Sequence, residues 1–314
     1  MDMVAFKVAF LSVFVALMYM FPGYLLGKAK KAVAGHLSTM SAVLIYVCSP
    51  CMIVSSFLSM EYSSENMKNM GLFFLVSFAF EVAFLLTLFF IFRKKFHINK
   101  YRMLAIGSTL GNCGFFGMPL IKALLPDHPE VACYSSIFVI SMNILVFTAA
   151  VYCLTQEKKY ISLKSATINP AVLSLLVALV LYVIGAREYI PDTCVNAIDL
   201  MGKMTTPVCM LILGIRLSTI KIKDLVSEPF VYFICIGKLI VFPLLACAVA
   251  IVLPMPYSFK ASLFILGAVP CASVILNMAE IHGKEQKLSA NCILLSTLLC
   301  IFTIPVMSLL LTFL

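Results

Sequence analysis

The stretch GNCGFFGMPL, Gly111 to Leu120, places Gly111, Asn112, Gly114 and Pro119 inside one apolar run, and GAVPCASVILN places Pro270 and Asn277 inside another. Proline removes a backbone donor and clashes with the carbonyl one turn back, while glycine leaves helical dihedrals at low cost. A helix broken within a membrane has to satisfy its freed amides and carbonyls internally, and an asparagine side chain, which both donates and accepts, suits that task. Where two half-helices bring their N-terminal ends together, free N–H groups and partial positive charge suit a carboxylate-sized anion. Two readings stand: a polar binding site built inside the membrane, or small residues that permit close helix packing with prolines that only kink. The occurrence of both interruptions at corresponding centres favours the site.

Two ionisable residues lie deep in apolar runs, Glu81 in FAFEVAF and Lys238 in CIGKLIVFP. An ion at the centre of a membrane helix costs at least ~2.5–3.5 kcal/mol, so each calls for a partner or a role. Glu81 as a proton acceptor with Lys238 as a counter-charge to substrate is one reading, and a structural ion pair or a snorkelling lysine is the other. Asn143 in SMNILVF is a further lining candidate, and Asp199 and Lys203 are spaced as a local i,i+4 pair. The Cys48 to Cys51 pair in CSPC has no second pair or histidine at zinc-like spacing and reads as packing. No metal site, cofactor or catalytic residue is expected.

The elements that must position these residues are membrane spans. The chain is 62% hydrophobic and 12% charged, with a mean hydropathy of +1.07, the profile of an integral membrane protein. Ten runs approach the ~20 residues that cross a bilayer: Val4 to Gly27, Leu37 to Leu58, Met70 to Phe92, Tyr101 to Leu125, Val131 to Leu154, Asn169 to Ala186, Val195 to Leu217, Phe230 to Leu253, Phe259 to Ile281 and Leu288 to Phe313. The first ends in GYLLGKAKKA without a small-residue cleavage site, which fits a retained helix better than a signal peptide. Sixteen of the 23 Lys and Arg lie in loops after odd-numbered runs and four near loops after even-numbered runs. That bias puts the odd loops in the cytoplasm and both termini outside, across the plasma (inner) membrane. It accounts for the net charge of +9 with the lipid bilayer as partner and no nucleic acid.

The polar connection TQEKKYISLKSATI divides the chain into residues 1–154, a cytoplasmic linker 155–168, and residues 169–314. A shift of 158 residues lays Tyr101 on Phe259, Asn112 on Pro270, Pro119 on Asn277 and Ala132 on Ala290, and a shift of 157 lays Pro50 on Pro207 and Glu81 on Lys238. Five spans per repeat is odd, so the second repeat enters the membrane inverted. The expected fold is therefore all-α, with ten transmembrane helices in two inverted five-helix repeats and broken fourth and ninth helices, the organisation of secondary transporters with a midplane site. An enzyme is disfavoured: no H-E-x-x-H, G-x-S-x-G or paired acidic motif is present. A membrane sensor that binds a ligand without moving it is the alternative to a transporter.

GNCGFFGMPL, TPVCMLILGIRLS, KLIVFPLL, GAVPCASVILNMAE and ANCILLSTLLCIFTIPV together resemble the auxin efflux carrier family, over essentially the whole chain. The resemblance implies a fold like those of sodium/proton antiporters and bile-acid symporters, in which the fourth and ninth helices cross at their prolines. It also implies transport of a small organic anion such as a carboxylate, with Asn112, Pro119 and Pro270 shaping the site. Spans one, two, six and seven would form a scaffold able to support a homodimer, and the others a domain that carries substrate across. Asn277 rests on the repeat alone. The short central linker resembles compact, bacterial-type members. A monovalent anion gains ~2.3 kcal/mol on leaving an interior 100 mV negative, about a 50-fold ratio, so efflux needs no coupled ion, whereas uptake would need one, with a proton on Glu81 as the candidate.

Overall fold

The computed structural model describes residues 2–314. Among the described residues eight helices are long and apolar enough to cross a membrane. They are α1 (Asp2–Lys28), α2 (Leu37–Leu58), α3 (Ser64–Ile91), α6 (Glu130–Thr155), α7 (Pro170–Val183, preceded by the turns from Lys158), α8 (Asp192–Thr219), α9 (Pro229–Val252) and α12 (Gln286–Phe313). Two further apolar segments are split, the first into α4 (Asn99–Thr109) and α5 (Cys113–Leu124), the second into α10 (Tyr257–Gly267) and α11 (Val274–Ile281). Each half of the chain thus runs through three continuous helices, a broken one and a final continuous one.

Local chemistry explains where the elements start and widen. Ser63 caps α3 by accepting from the Asn66 amide at 3.4 Å, and Asn169 caps α7 by accepting from Val172 at 3.1 Å, with Pro170 in the first turn where its missing N–H costs nothing. Turns of π type at Leu44–Cys48, Cys113–Gly117 and Gly237–Val241 each precede a proline, Pro50, Pro119 and Pro243. The prolyl nitrogen cannot bond one turn back, so the ladder widens ahead of it. A fourth such turn, Val146–Ala150, has no proline and no account in the sequence.

Packing holds the split segments between continuous helices. The helices α1 and α8 approach at glycines: a Cβ on Gly214 would fall 2.0 Å from the Met20 carbonyl oxygen, close contact of the kind small residues allow between membrane helices. Phe73 of α3, Tyr134 of α6 and Phe259 of α10 form one aromatic cluster with centroids 4.6 to 5.7 Å apart. The Phe242 ring of α9 meets Phe80 and Phe84 of α3 at 4.8 and 4.9 Å. Arg102, buried at the start of α4, donates to the Phe96, His97 and Leu154 carbonyls and so ties α4 to the end of α6. The outward faces of α1 and α7 carry exposed Leu, Val and Phe side chains, as lipid contact requires.

Candidate functional site

The two breaks meet. Leu110 to Asn112 and Pro270 to Ala272 run antiparallel, bridged at Gly111 and Cys271. The Asn112 amide donates to the Pro270 carbonyl at 2.8 Å, and the Ala272 amide donates to the Leu110 carbonyl at 3.1 Å. Each interruption therefore satisfies part of the backbone that the other frees. The Cys271 amide is taken by Ser296 Oγ of α12 at 3.1 Å. Beyond the pairing the chain runs on into α5 and α11, Phe115 and Ser273 line one cleft, and among the described residues the amides of Gly114, Phe115, Ser273 and Val274 make no hydrogen bond. These are orphan donors of two helix N-termini.

The sequence places the first break at Asn112 with Pro119 as a contributor, and the structure refines this. Helical geometry ends at Thr109 and resumes at Cys113, Gly114 and Gly117 lie in the widened turn, and Pro119 sits in the first regular turn that follows, where proline is tolerated. In the second segment Pro270 is in the break itself, whereas Asn277 is in the middle of α11. Gly111 is required by close approach: a Cβ there would lie 2.7 Å from Lys238 Nζ and 3.0 Å from a Val269 methyl. Asn112, 5% exposed, turns its side chain toward the Cys209 sulfur of α8.

Lys238 is fully buried on the widened turn of α9, against Gly111 of the pairing. Its Nζ donates to the Thr109 carbonyl at 3.3 Å, the last of α4, and stands 3.9 Å from the Phe242 ring centroid. Glu81 is also fully buried, but Ser141 Oγ of α6 donates to its Oε2 at 2.8 Å and its Oε1 has no partner among the described residues. No Glu81–Lys238 ion pair forms, so the structural-pair reading fails in this conformation, and Phe242 packs against both the α3 aromatics and the ammonium instead. Lys238 acts on the pairing through the C-terminus of α4, whose last carbonyl it caps.

A cavity of about 570 Å³ opens beside α5, which follows the first break. Its walls are α1 (Ser12, Tyr19), α2 (Met52, Ser55), α5 (Phe116, Pro119, Lys122) and α8 (Asp199, Lys203, Thr206). Asp199 pairs with Lys203 at 2.6 Å, as their spacing suggests, and also accepts from Ser55 Oγ at 2.8 Å. That leaves Lys122 as the uncompensated charge on the wall. Thr206 Oγ1 donates to the Phe115 carbonyl at 2.6 Å, closing the cavity floor. A second cleft of about 40 Å³ lies beyond Phe115 and is lined by Ser41, Cys209, Arg216, Ser273 and Asn277. Asn143 lines neither space.

Ser55, Thr206 and Lys122 are cavity residues that the sequence does not single out. Only Thr206, beside Pro207 in the repeat alignment, carries any signal there. Among the described residues no group of His, Cys, Asp and Glu is placed to hold a metal ion, and Cys48 and Cys51 are free thiols, the first buried. Outside the helices, His282 packs on Tyr160 at 4.6 Å, and burial with the neighbouring Lys284 lowers its pKa from the ordinary value of 6.5.

A family model described as "Membrane transport protein" matches residues 8–165 and 154–308. No curated protein sequence matches the chain.

Proposed function

This chain belongs to the membrane transport protein family of auxin efflux carriers, and from that premise we propose that it carries a small organic anion, a carboxylate, by alternating access around the crossing of its two broken segments. The observation that carries this reading is the pairing at Gly111 and Cys271, from which two half-helices with orphan amides at their N-termini run on. The buried Lys238 ammonium against Gly111 forms no ion pair with a carboxylate among the described residues. All of these features favour negative charge at one place. The 570 Å³ cavity is of a size for a small ligand, and Lys122 on its wall supplies attraction on approach.

In this reading the split segments count as the fourth and ninth of ten crossings, and the repeats are inverted. The packing of α1 against α8, and of α2 against α7 and α8, supports a fixed frame of α1, α2, α7 and α8 past which the crossing moves. Positive-inside bias then puts the large cavity on the outer side and the Arg216 cleft on the cytoplasmic side. Glu81, with one oxygen free of partners, is the residue for a coupled proton if uptake is the direction.

The test is reconstitution of the purified chain in liposomes, with capacitive current recorded on adding malate, malonate, citrate or indole-3-acetate. A current for at least one compound that is lost in Asn112→Ala supports the reading. Saturable binding of a compound with no current and no flux of labelled compound contradicts it and marks a sensor.

A further inference from the structure

Arg216, in the last turn of α8, donates from Nη1 to Glu280 Oε1 of α11 at 2.9 Å. Among the described residues this is the one ion pair that joins α8 to a broken segment. Lys100–Glu228 and Lys287–Asp224 involve the connection between α8 and α9, and the others span five residues or fewer along the chain. The arginine side chain is 21% exposed and also lines the 40 Å³ cleft, facing Ser41, Ser273 and Asn277. The Asn277 side chain is exposed there and makes no hydrogen bond to a described residue.

We propose that Arg216 and Asn277 form a carboxylate-binding site at the closed end of the molecule, masked in this conformation by the chain's own Glu280. The inference rests on the anion-carrier reading and extends it to a second station. A guanidinium fork matches a carboxylate in two hydrogen bonds, and an adjacent amide adds a donor. Glu280 holds one Arg216 nitrogen by one oxygen, a partial match that a free carboxylate improves on. An anion that takes Arg216 releases α11 from α8, which widens the cleft toward Ser273 and Val274, the residues whose amides are free. Masking thus links occupancy to opening: with no anion the narrow end stays shut.

The experiment uses the full chain carrying Ser41→Cys in detergent micelles, where both ends are open to solvent. The rate at which a polar maleimide modifies the introduced thiol is read by peptide-resolved mass spectrometry, and the parent chain reports the native cysteines. An exposed pair of this kind is worth up to ~1 kcal/mol, about a fivefold change in an opening equilibrium. Glu280→Gln and Arg216→Gln each speed modification about fivefold, and the double variant adds nothing further. Malonate speeds it in the parent background and not in Arg216→Gln, beyond a sodium chloride control at equal ionic strength that removes simple screening.

An unchanged rate in Glu280→Gln, with an unchanged size-exclusion profile, overturns the mask. A response to Glu280→Gln without any response to malonate, malate or citrate overturns the carboxylate site. Modification reports opening and not transport, so the expected pattern in a protein that moves no anion in liposomes upholds this site and sinks the carrier reading.

Discussion

Pro119 and Asn277 occupy corresponding places, each seven residues beyond the centre of its repeat's broken segment, yet they face opposite spaces. Pro119 lines a cavity of about 570 Å³ and Asn277 a cleft of about 40 Å³. The backbone plan of the two segments is alike, and they pair reciprocally at Gly111 and Cys271. What differs is the closure. At the wide end the Asp199–Lys203 pair stays within one helix, whereas at the narrow end Arg216–Glu280 bridges two elements. Under the proposed carrier reading, a two-fold plan with unequal closure is what one snapshot of alternating access would contain. The closing contacts are partly exposed and weak, so the asymmetry is reversible.

The comparison breaks most severely at the Gly111–Cys271 pairing itself. Gly111→Leu puts several atoms into the space that Lys238 and Val269 fill, and the chain is expected to lose its folded, monodisperse state. Gly111→Ala costs about 1–3 kcal/mol as an overpacked site, seen as a lowered Tm in micelles. Cys271→Ala on the partner strand keeps the backbone pairing and loses thiol contacts to the Gly107 carbonyl and to Cys292, about 1 kcal/mol or less. Equal damage from both alanines would mean that Gly111 is not a point of close approach.

Next in size is Glu81→Gln. The Ser141 hydroxyl still has an oxygen to donate to, so folding is preserved while the titratable group is lost. Transport driven by a pH gradient is expected to fall at least tenfold, with transport driven by the anion gradient alone kept. Thr206→Val follows: losing the donor to the Phe115 carbonyl at the cavity floor costs about 0.5–1.5 kcal/mol, a roughly two- to twelvefold rise in the half-saturating anion concentration. Asn277→Ala leaves affinity measured from the wide end alone, because it faces only the narrow cleft.

The smallest expected effect lies at His282, whose lowered pKa leaves it neutral in the folded chain at pH 7. Because the unfolded state takes up that proton first, stability falls as pH drops below about 6.5. His282→Gln removes this acid-side loss and changes nothing at pH 8. Matching pH profiles of Tm for the two chains would remove His282 from the account.

The breaks were legible because glycine and proline act on the backbone at their own position. GNCGFFGMP and AVPCAS mark residues 110–112 and 268–273 closely. The function of Pro119 was less legible, since proline breaks a helix in its middle and starts one in its first turn, and only the fold tells which. The 158-residue shift anticipated that the two centres correspond, and the Asp199–Lys203 spacing anticipated a contact formed within one helix. It did not anticipate partners brought together from distant elements. Glu81 and Lys238 overlay in sequence without pairing, because overlay under a shift relates positions between repeats and says nothing of contact. The wide cavity draws walls from four helices, and Arg216 meets Glu280 across 64 residues. Those features are products of tertiary packing and leave no local signature.

The central claim is that the anion sits where the two half-helices begin. Its most direct test is a structure of the chain in lipid nanodiscs with the carboxylate that gives the largest liposome current. The account predicts density for that carboxylate within hydrogen-bond reach of the Gly114 and Phe115 amides and beside Asn112, with the Gly111–Cys271 pairing intact. Density confined to the wide cavity near Lys122, with those amides unoccupied at saturating ligand, would contradict it.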